Sequence, residues 1–234
     1  NELIKNKDID AVVIATPVES HYDLALLAIE SGKHVLVSKP IASNSSQANK
    51  LIEESNKKKL VLMVDHTFIF SGPIKKIKSL IDNNELGKLL YYDSVRINLG
   101  IFQSDVNVLW DLAVHDLSIM SYLLNAKPKL LSAVGHNHIN SEPENIAFLT
   151  LFFENNFIAH INVNWLSPVK IRRTLIGGSK KMVVYDDLET SEKVKIYNSG
   201  IDVKKDSAEI NKLLINFRSG DLFSPKIDQT EALK

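Results

Sequence analysis

The sequence predicts an α/β protein in two parts. Residues 1–66 form a parallel sheet with helices on its crossovers, and residues 67–234 form an α+β domain around a large, mostly antiparallel, open-faced sheet. Three observations carry this reading. In the first third, short β-branched runs alternate with amphipathic stretches, the pattern of right-handed βαβ units. After residue 66 helices become few, and strands follow one another through short turns such as "ENN" (154–156) and "GGSKK" (177–181), the mark of antiparallel hairpins. With 234 residues, 44% of them hydrophobic, the chain can bury the core of one large domain or two ordinary ones.

Each element has a local cause. "AVVIAT" (11–16), "HVLVSK" (34–39) and "LVLMVDH" (60–66) are apolar and β-branched, as strands buried on both faces are. Between them, 20–32 reads as a helix with Ser20 at its N-cap and Gly32 as its stop, and a second helix runs from a cap at Ser43 or Asn44 to about Lys58. A helix over 72–87 leads into "KLLYYDSVRINLG", followed by a core-seeking helix over 106–124. Strands are expected near 130–137, 145–153, 157–165, 170–176, 181–186 and 193–198, while 199–234 shows no clear element. There is no internal repeat and no low-complexity segment.

Composition narrows the classes of function. Lys+Arg and Asp+Glu both number 28, so the overall charge favours neither nucleic acid nor an anionic membrane. No run of apolar residues is long enough to span a bilayer, and "NELIKNKDID" lacks the regions of a signal peptide. Zero cysteine excludes disulfides and thiolate metal sites. A cytoplasmic location is the default expectation.

The strand ends carry the chemistry, because a parallel sheet gathers loops and helix N-termini at its carboxyl edge. Strand one ends in "ATPVESH", strand two in "SKPIA" and strand three in "VDHTF". Thr16 and Pro17 either turn the backbone towards a ligand or form an ordinary capped turn; His21 is placed to hydrogen-bond a hydroxyl. Lys39, held extended by Pro40, either points over a ligand or ends a solvated strand. In the 106–124 helix, Asp111, His115, Ser118 and Tyr122 share a stripe roughly 60° wide at about 100° per residue, a polar face that needs water, a partner group or a ligand. Asp116 lies about 100° away and reads as a structural hydrogen-bonding group. His136 and His138 share a strand face, but no third ligand has a characteristic spacing; solvated histidines are the better reading, and metal-dependent hydrolysis by Asp111, His115 and His136 is disfavoured. Lys170, Arg172 and Arg173 either meet a phosphate or decorate a hairpin. The nine glycines give no G-x-G-x-x-G, the turn that grips a dinucleotide pyrophosphate.

Taken together, "DAVVIATPVESHYDLALLAIESGKHVLVSKPIA", "DHTF", "ELGK" and "WDLAVHD" resemble, in order, the Gfo/Idh/MocA family of oxidoreductases (glucose-fructose oxidoreductase and inositol dehydrogenase) over nearly the whole chain. "INLGIFQSDVNVLWDLAVHDLSI", "GGSKKMVVYDD" and "SPKIDQTEAL" are most similar to its nucleotide-sugar 3-dehydrogenase branch. The resemblance implies a partial Rossmann-type sheet and hydride transfer between NAD or NADP and a hydroxyl of a sugar or nucleotide sugar. It assigns Lys39, His115 and Asp111 to catalysis, Thr16, Pro17, His21, Ser38, Lys39 and His66 to the cofactor side, and Asn98, Lys170 and Arg172 to the substrate. It implies no metal, nucleic acid or membrane partner, and a homo-oligomer, dimer or tetramer, through the open sheet face, with Val163, Trp165, Ile171 and Val183 as candidates for that face.

Two residues depart from the family pattern: Ser38 stands where relatives carry glutamate before Lys-Pro, and Asp65 stands where they carry glycine before "HTF". The chain reads as truncated at both ends, its first βαβ unit and cofactor fingerprint missing, with weak binding of NAD expected as a result. The alternative from a different class is a non-catalytic sugar-binding or assembly module of the same fold.

Overall fold

The computed structural model describes residues 2–100, 106–139, 143–204 and 214–228. A short helix α1 (Glu2–Lys5) precedes β1 (Ala11–Ile14), α2 (His21–Glu30), β2 (His34–Ser38), α3 (Ser45–Lys57) and β3 (Leu62–Asp65). The three strands pair in parallel in the order β1-β2-β3, with Ile14 beside Val37 and Ser38 beside Asp65. Asn44 is the cap of α3, its side chain accepting the Gln47 N–H. Ser20 precedes α2 without capping it; its hydroxyl donates instead to the Pro17 carbonyl at 2.8 Å. Ile14, Val35 and Val37 pack on Ala25, Ala28, Ile29 and Leu51, a small core in which each fully buried large side chain contributes about 1.5–3 kcal/mol. The far side of β1 is uncovered, with Val13 69% exposed.

The second sheet is larger. Helix α4 (Gly72–Asp82) leads to β4 (Leu89–Leu99); a π-helical turn (Leu109–Ala113) runs into α5 (Val114–Leu124); then come β5 (Leu130–His136), β6 (Ile146–Phe152), β7 (Ile158–Asn164), β8 (Leu166–Gly178), β9 (Met182–Asp186), β10 (Val194–Tyr197), β11 (Gly200–Lys204), β12 (Leu214–Arg218) and β13 (Leu222–Phe223). Eight strands pair in the order β13-β10-β9-β8-β4-β7-β6-β5, all antiparallel except β4 with β7, and β11 pairs with β12 separately. The region after 199, expected to lack structure, therefore holds three strands. Period-2 alternation sends Tyr92, Ser94 and Arg96 of β4 inward with Ile161 and Val163 of β7, against Ile74, Ile77, Ile119 and Met120 of the helices.

Val163, Trp165 and Val183, expected on the open face, are at most 1% exposed and lie on the inner one. Of the four candidates only Ile171 is outward, paired with Ile97. The outer face is supplied by the alternate positions, Phe148, Phe152 and Ile158 among them. At its edge β5 is exposed along its whole length, with Leu130, Leu131 and Val134 each above 60%.

Candidate active site

The carboxyl end of β2 meets the N-terminal end of the α5 segment. Lys39 follows β2, and its ammonium donates to both the side-chain Oδ1 and the backbone carbonyl of Asp111, each at 2.8 Å. Both acceptors belong to Asp111, 72 residues from Lys39 in sequence, and both side chains are partly open, at 25% and 21% exposure. An ammonium has three donors; Asp111 takes two, leaving one for a ligand in the cleft. The carbonyl reaches Lys39 because the helix is not regular here: Val114 N–H donates back to Leu109 O, a π-type bond, and such turns release backbone groups at functional sites. The stripe drawn at 100° per residue is thereby split. Asp111 and His115 enter the cleft, but Ser118 donates to the His115 carbonyl at 2.7 Å, and Tyr122 packs against the core.

His115 is mostly buried, its ring edge-on to Phe68 at 5.0 Å. Its Nδ1 is buried with no hydrogen-bond partner among the described residues. Burial pushes the imidazole down to about 2, and the cations of Arg96, Lys39 and Arg172 add to the effect. The ring is therefore neutral near pH 7, with a nitrogen free to meet a ligand. Beneath it, the guanidinium of Arg96 stacks on Phe68 at 4.7 Å and its Nε donates to Asp116 Oδ2 at 2.6 Å. Asp116 also accepts from Ser94 Oγ at 2.6 Å, the structural role expected of it. Arg96 was not singled out from the sequence, yet a signal existed: an arginine at an inward position of a strand must have a buried partner.

Arg172 lies directly opposite Arg96 on β8 and pairs with Asp187 at 3.2 Å; its Nε is buried without a partner among the described residues. By alternation Lys170 shares its face and is exposed, while Arg173 points outward and binds Asp186. Asn98 follows Arg96 on the inward row of β4.

On the parallel-sheet side, Thr16 and Pro17 are exposed after β1, with Thr16 Oγ1 2.7 Å from Ser20 Oγ. His21 was expected to face a ligand hydroxyl. It is instead 1% exposed, with Nδ1 2.8 Å from Pro40 O and Nε2 2.8 Å from Thr16 O. Both nitrogens are taken, so it braces the turns after β1 and β2 against each other. Ser38 is half-buried beside Asp65. Asp65 accepts from Thr67 Oγ1 at 2.9 Å, fixing the turn that leads to Phe68. His66 has a buried, unpartnered Nδ1, and burial lowers its pKa. His136 and His138 stand ring to ring at 4.7 Å, and no group of three metal-ligating side chains occurs among the described residues. The backbone N–H of His138 donates to Asn145.

Residues 1–66 match a family model described as an oxidoreductase family with an NAD-binding Rossmann fold, and residues 74–184 match the GFO/IDH/MocA C-terminal domain. A scyllo-inositol 2-dehydrogenase (NAD(+)) of Bacillus subtilis (strain 168) is 29% identical over 61% of this chain and 42% of its own. A UDP-N-acetylglucosamine 3-dehydrogenase of Acidithiobacillus ferrooxidans is 27% identical over 82% of this chain and 60% of its own. The chain spans about half the length of the curated relatives it matches. A crystal structure from Magnetospirillum magnetotacticum MS-1 superposes with a TM-score of 0.81 at 25% identity, covering 99% of this chain and 71% of that one.

Proposed function

The chain belongs to the Gfo/Idh/MocA family of oxidoreductases, and on that premise we propose that it serves NAD(P)-linked oxidation or reduction of a hydroxyl on a sugar or nucleotide sugar. The observation that carries the proposal is the pair of hydrogen bonds from Lys39 to Asp111 beside a neutral, mostly buried His115. A nicotinamide, when bound, supplies the hydride acceptor or donor. The residues fit its nicotinamide end: Lys39 keeps one donor, and the Nδ1 atoms of His66 and His115 are buried without partners. They do not supply its pyrophosphate end, since the sequence has no glycine-rich turn at a helix N-terminus.

In the oxidative direction, Lys39 donates a hydrogen bond to the reacting oxygen and stabilises the negative charge that develops on it, while the neutral His115 imidazole receives its proton at Nε2. Asp111 offsets the charge of Lys39 and fixes the direction of its ammonium. Burial and the neighbouring cations disfavour the imidazolium, so the proton must pass on from His115 to solvent. Thr16, Pro17, Ser38 and His66 border the cofactor side, with His21 bracing them, and Asn98, Lys170 and Arg172 border the substrate. The open face of the large sheet, with the exposed β5 edge, supports self-association as a dimer or tetramer.

The test is the appearance of reduced nicotinamide when NAD or NADP is mixed with the protein and either inositols or UDP-N-acetylhexosamines and their uronic acids. Turnover with one class and loss of it in Lys39→Met supports the proposal. Substrate binding with no hydride transfer, with or without an added pyrophosphate-binding unit, would favour the binding-module reading.

A further inference from the structure

We infer that Trp165 is the positioning residue of this site, the group that sets the direction of Asp111 and, through it, of Lys39. A carboxylate turns easily about its last torsion. Here each oxygen is committed to a different donor: Oδ1 to Lys39 Nζ at 2.8 Å and Oδ2 to the indole N–H of Trp165 at 3.0 Å. With both oxygens held, the carboxylate has one orientation, and the free donor of Lys39 has one direction.

The indole is itself over-determined. Trp165 is 1% exposed and stands at the junction of β7 and β8, which end at Asn164 and begin at Leu166 with no loop between. Its backbone N–H donates to Asn145 O at 3.0 Å, and its carbonyl accepts from Gly100 N–H at 3.1 Å. Gly100 leaves room for the ring, since a Cβ there would lie 2.9 Å from Trp165 Cδ1. Core packing alone would be met by any large apolar side chain; an N–H delivered to a charged acceptor is a separate requirement, and such bonds are about twice as strong as neutral ones. The tryptophan therefore couples the frame of the large sheet to the lysine of the parallel sheet. Its catalytic consequence rests on the dehydrogenase reading, while the hydrogen bond itself does not.

The experiment uses the full chain labelled with ¹⁵N. The protein has two tryptophans, so Trp110→Phe assigns the two indole N–H signals. The Trp165 signal is expected to shift in Asp111→Asn, and in Gly100→Ala, which displaces the ring without altering the carboxylate. A Trp165 signal that ignores Asp111→Asn overturns the inference whatever the activity. In the kinetic arm, Trp165→Phe is expected to lower kcat by about 10- to 100-fold, as for loss of a hydrogen bond to a charged group, with KM changed less than about threefold. A folded Trp165→Phe protein with the parental kcat and pH profile overturns it as well. If the parent transfers no hydride even when joined to a βαβ unit carrying a glycine-rich turn, the dehydrogenase reading fails, and the indole signal alone decides the inference.

Discussion

Lowering the pH should destabilise this protein through His115, and the size of the effect follows from its burial. An exposed histidine titrates near about 6.5, whereas burial, reinforced by Arg96, Lys39 and Arg172, holds this one at about 2. Below about pH 6.5 the unfolded chain binds a proton that the folded chain does not, so the contribution is fully present above that pH and is lost progressively as the pH falls towards about 2. The slope is at most about 1.4 kcal/mol per pH unit, so passing from pH 7 to pH 5 removes about 2 kcal/mol. That is a large part of an ordinary stability of about 5–15 kcal/mol. His66, also lowered by burial, acts in the same direction. The chosen window stays above the usual carboxylate range. His115→Gln keeps a polar side chain that does not protonate, so denaturant midpoints of parent and variant at the two pH values isolate the effect. The parent should lose about 2 kcal/mol more than the variant. Equal losses in both would refute the reasoning and place the imidazole in contact with water.

Two further outcomes test the frame around the site. Asp116→Asn leaves Arg96 buried at 2% exposure without a counter-charge, which should cost about 3–5 kcal/mol by chemical denaturation. Asp186→Asn, which breaks the outward pair with Arg173, should cost less than about 1 kcal/mol. Phe148→Asp on the outer face and Leu131→Asp at the β5 edge should each lower the mass measured by light scattering, because both residues are exposed apolar groups on the proposed contact face; a parent chain that is monomeric at high concentration would contradict the self-association proposal.

The parallel sheet was legible because its strands are apolar, β-branched runs whose signal is local: β1, β2 and β3 fall within the expected segments, although one face of β1 is open. The same holds for the strands near 130–137, 145–153 and 181–186. Strand β8 begins four residues earlier than expected, at Leu166, since Leu-Ser-Pro resembles a turn and only the pairing of Leu99 with Leu166 makes it a strand. The strands after 199 are short, and they take their form from partners elsewhere in the chain, β12 for β11 and β10 for β13. In the site, Lys39, Asp111 and His115 were readable as polar groups in apolar contexts. Trp165 was not, because an apolar ring looks like ordinary core until a carboxylate from another element is placed against it. The π turn at Leu109–Ala113 was equally hidden: periodicity assumes a regular helix, and the bond that rewards the distortion comes from Lys39.

The central claim, that Lys39 and His115 serve one reacting hydroxyl, is tested most directly by the rate of hydride transfer to nicotinamide. It is measured in the chain joined to a βαβ unit carrying a glycine-rich turn, with the sugars proposed above. Lys39→Met and His115→Ala should each lower kcat by about 10²- to 10⁴-fold, the usual loss of acid–base catalysis, while His136→Ala, on the β5 edge, leaves the rate nearly unchanged. A parental rate in either Lys39→Met or His115→Ala would contradict the claim.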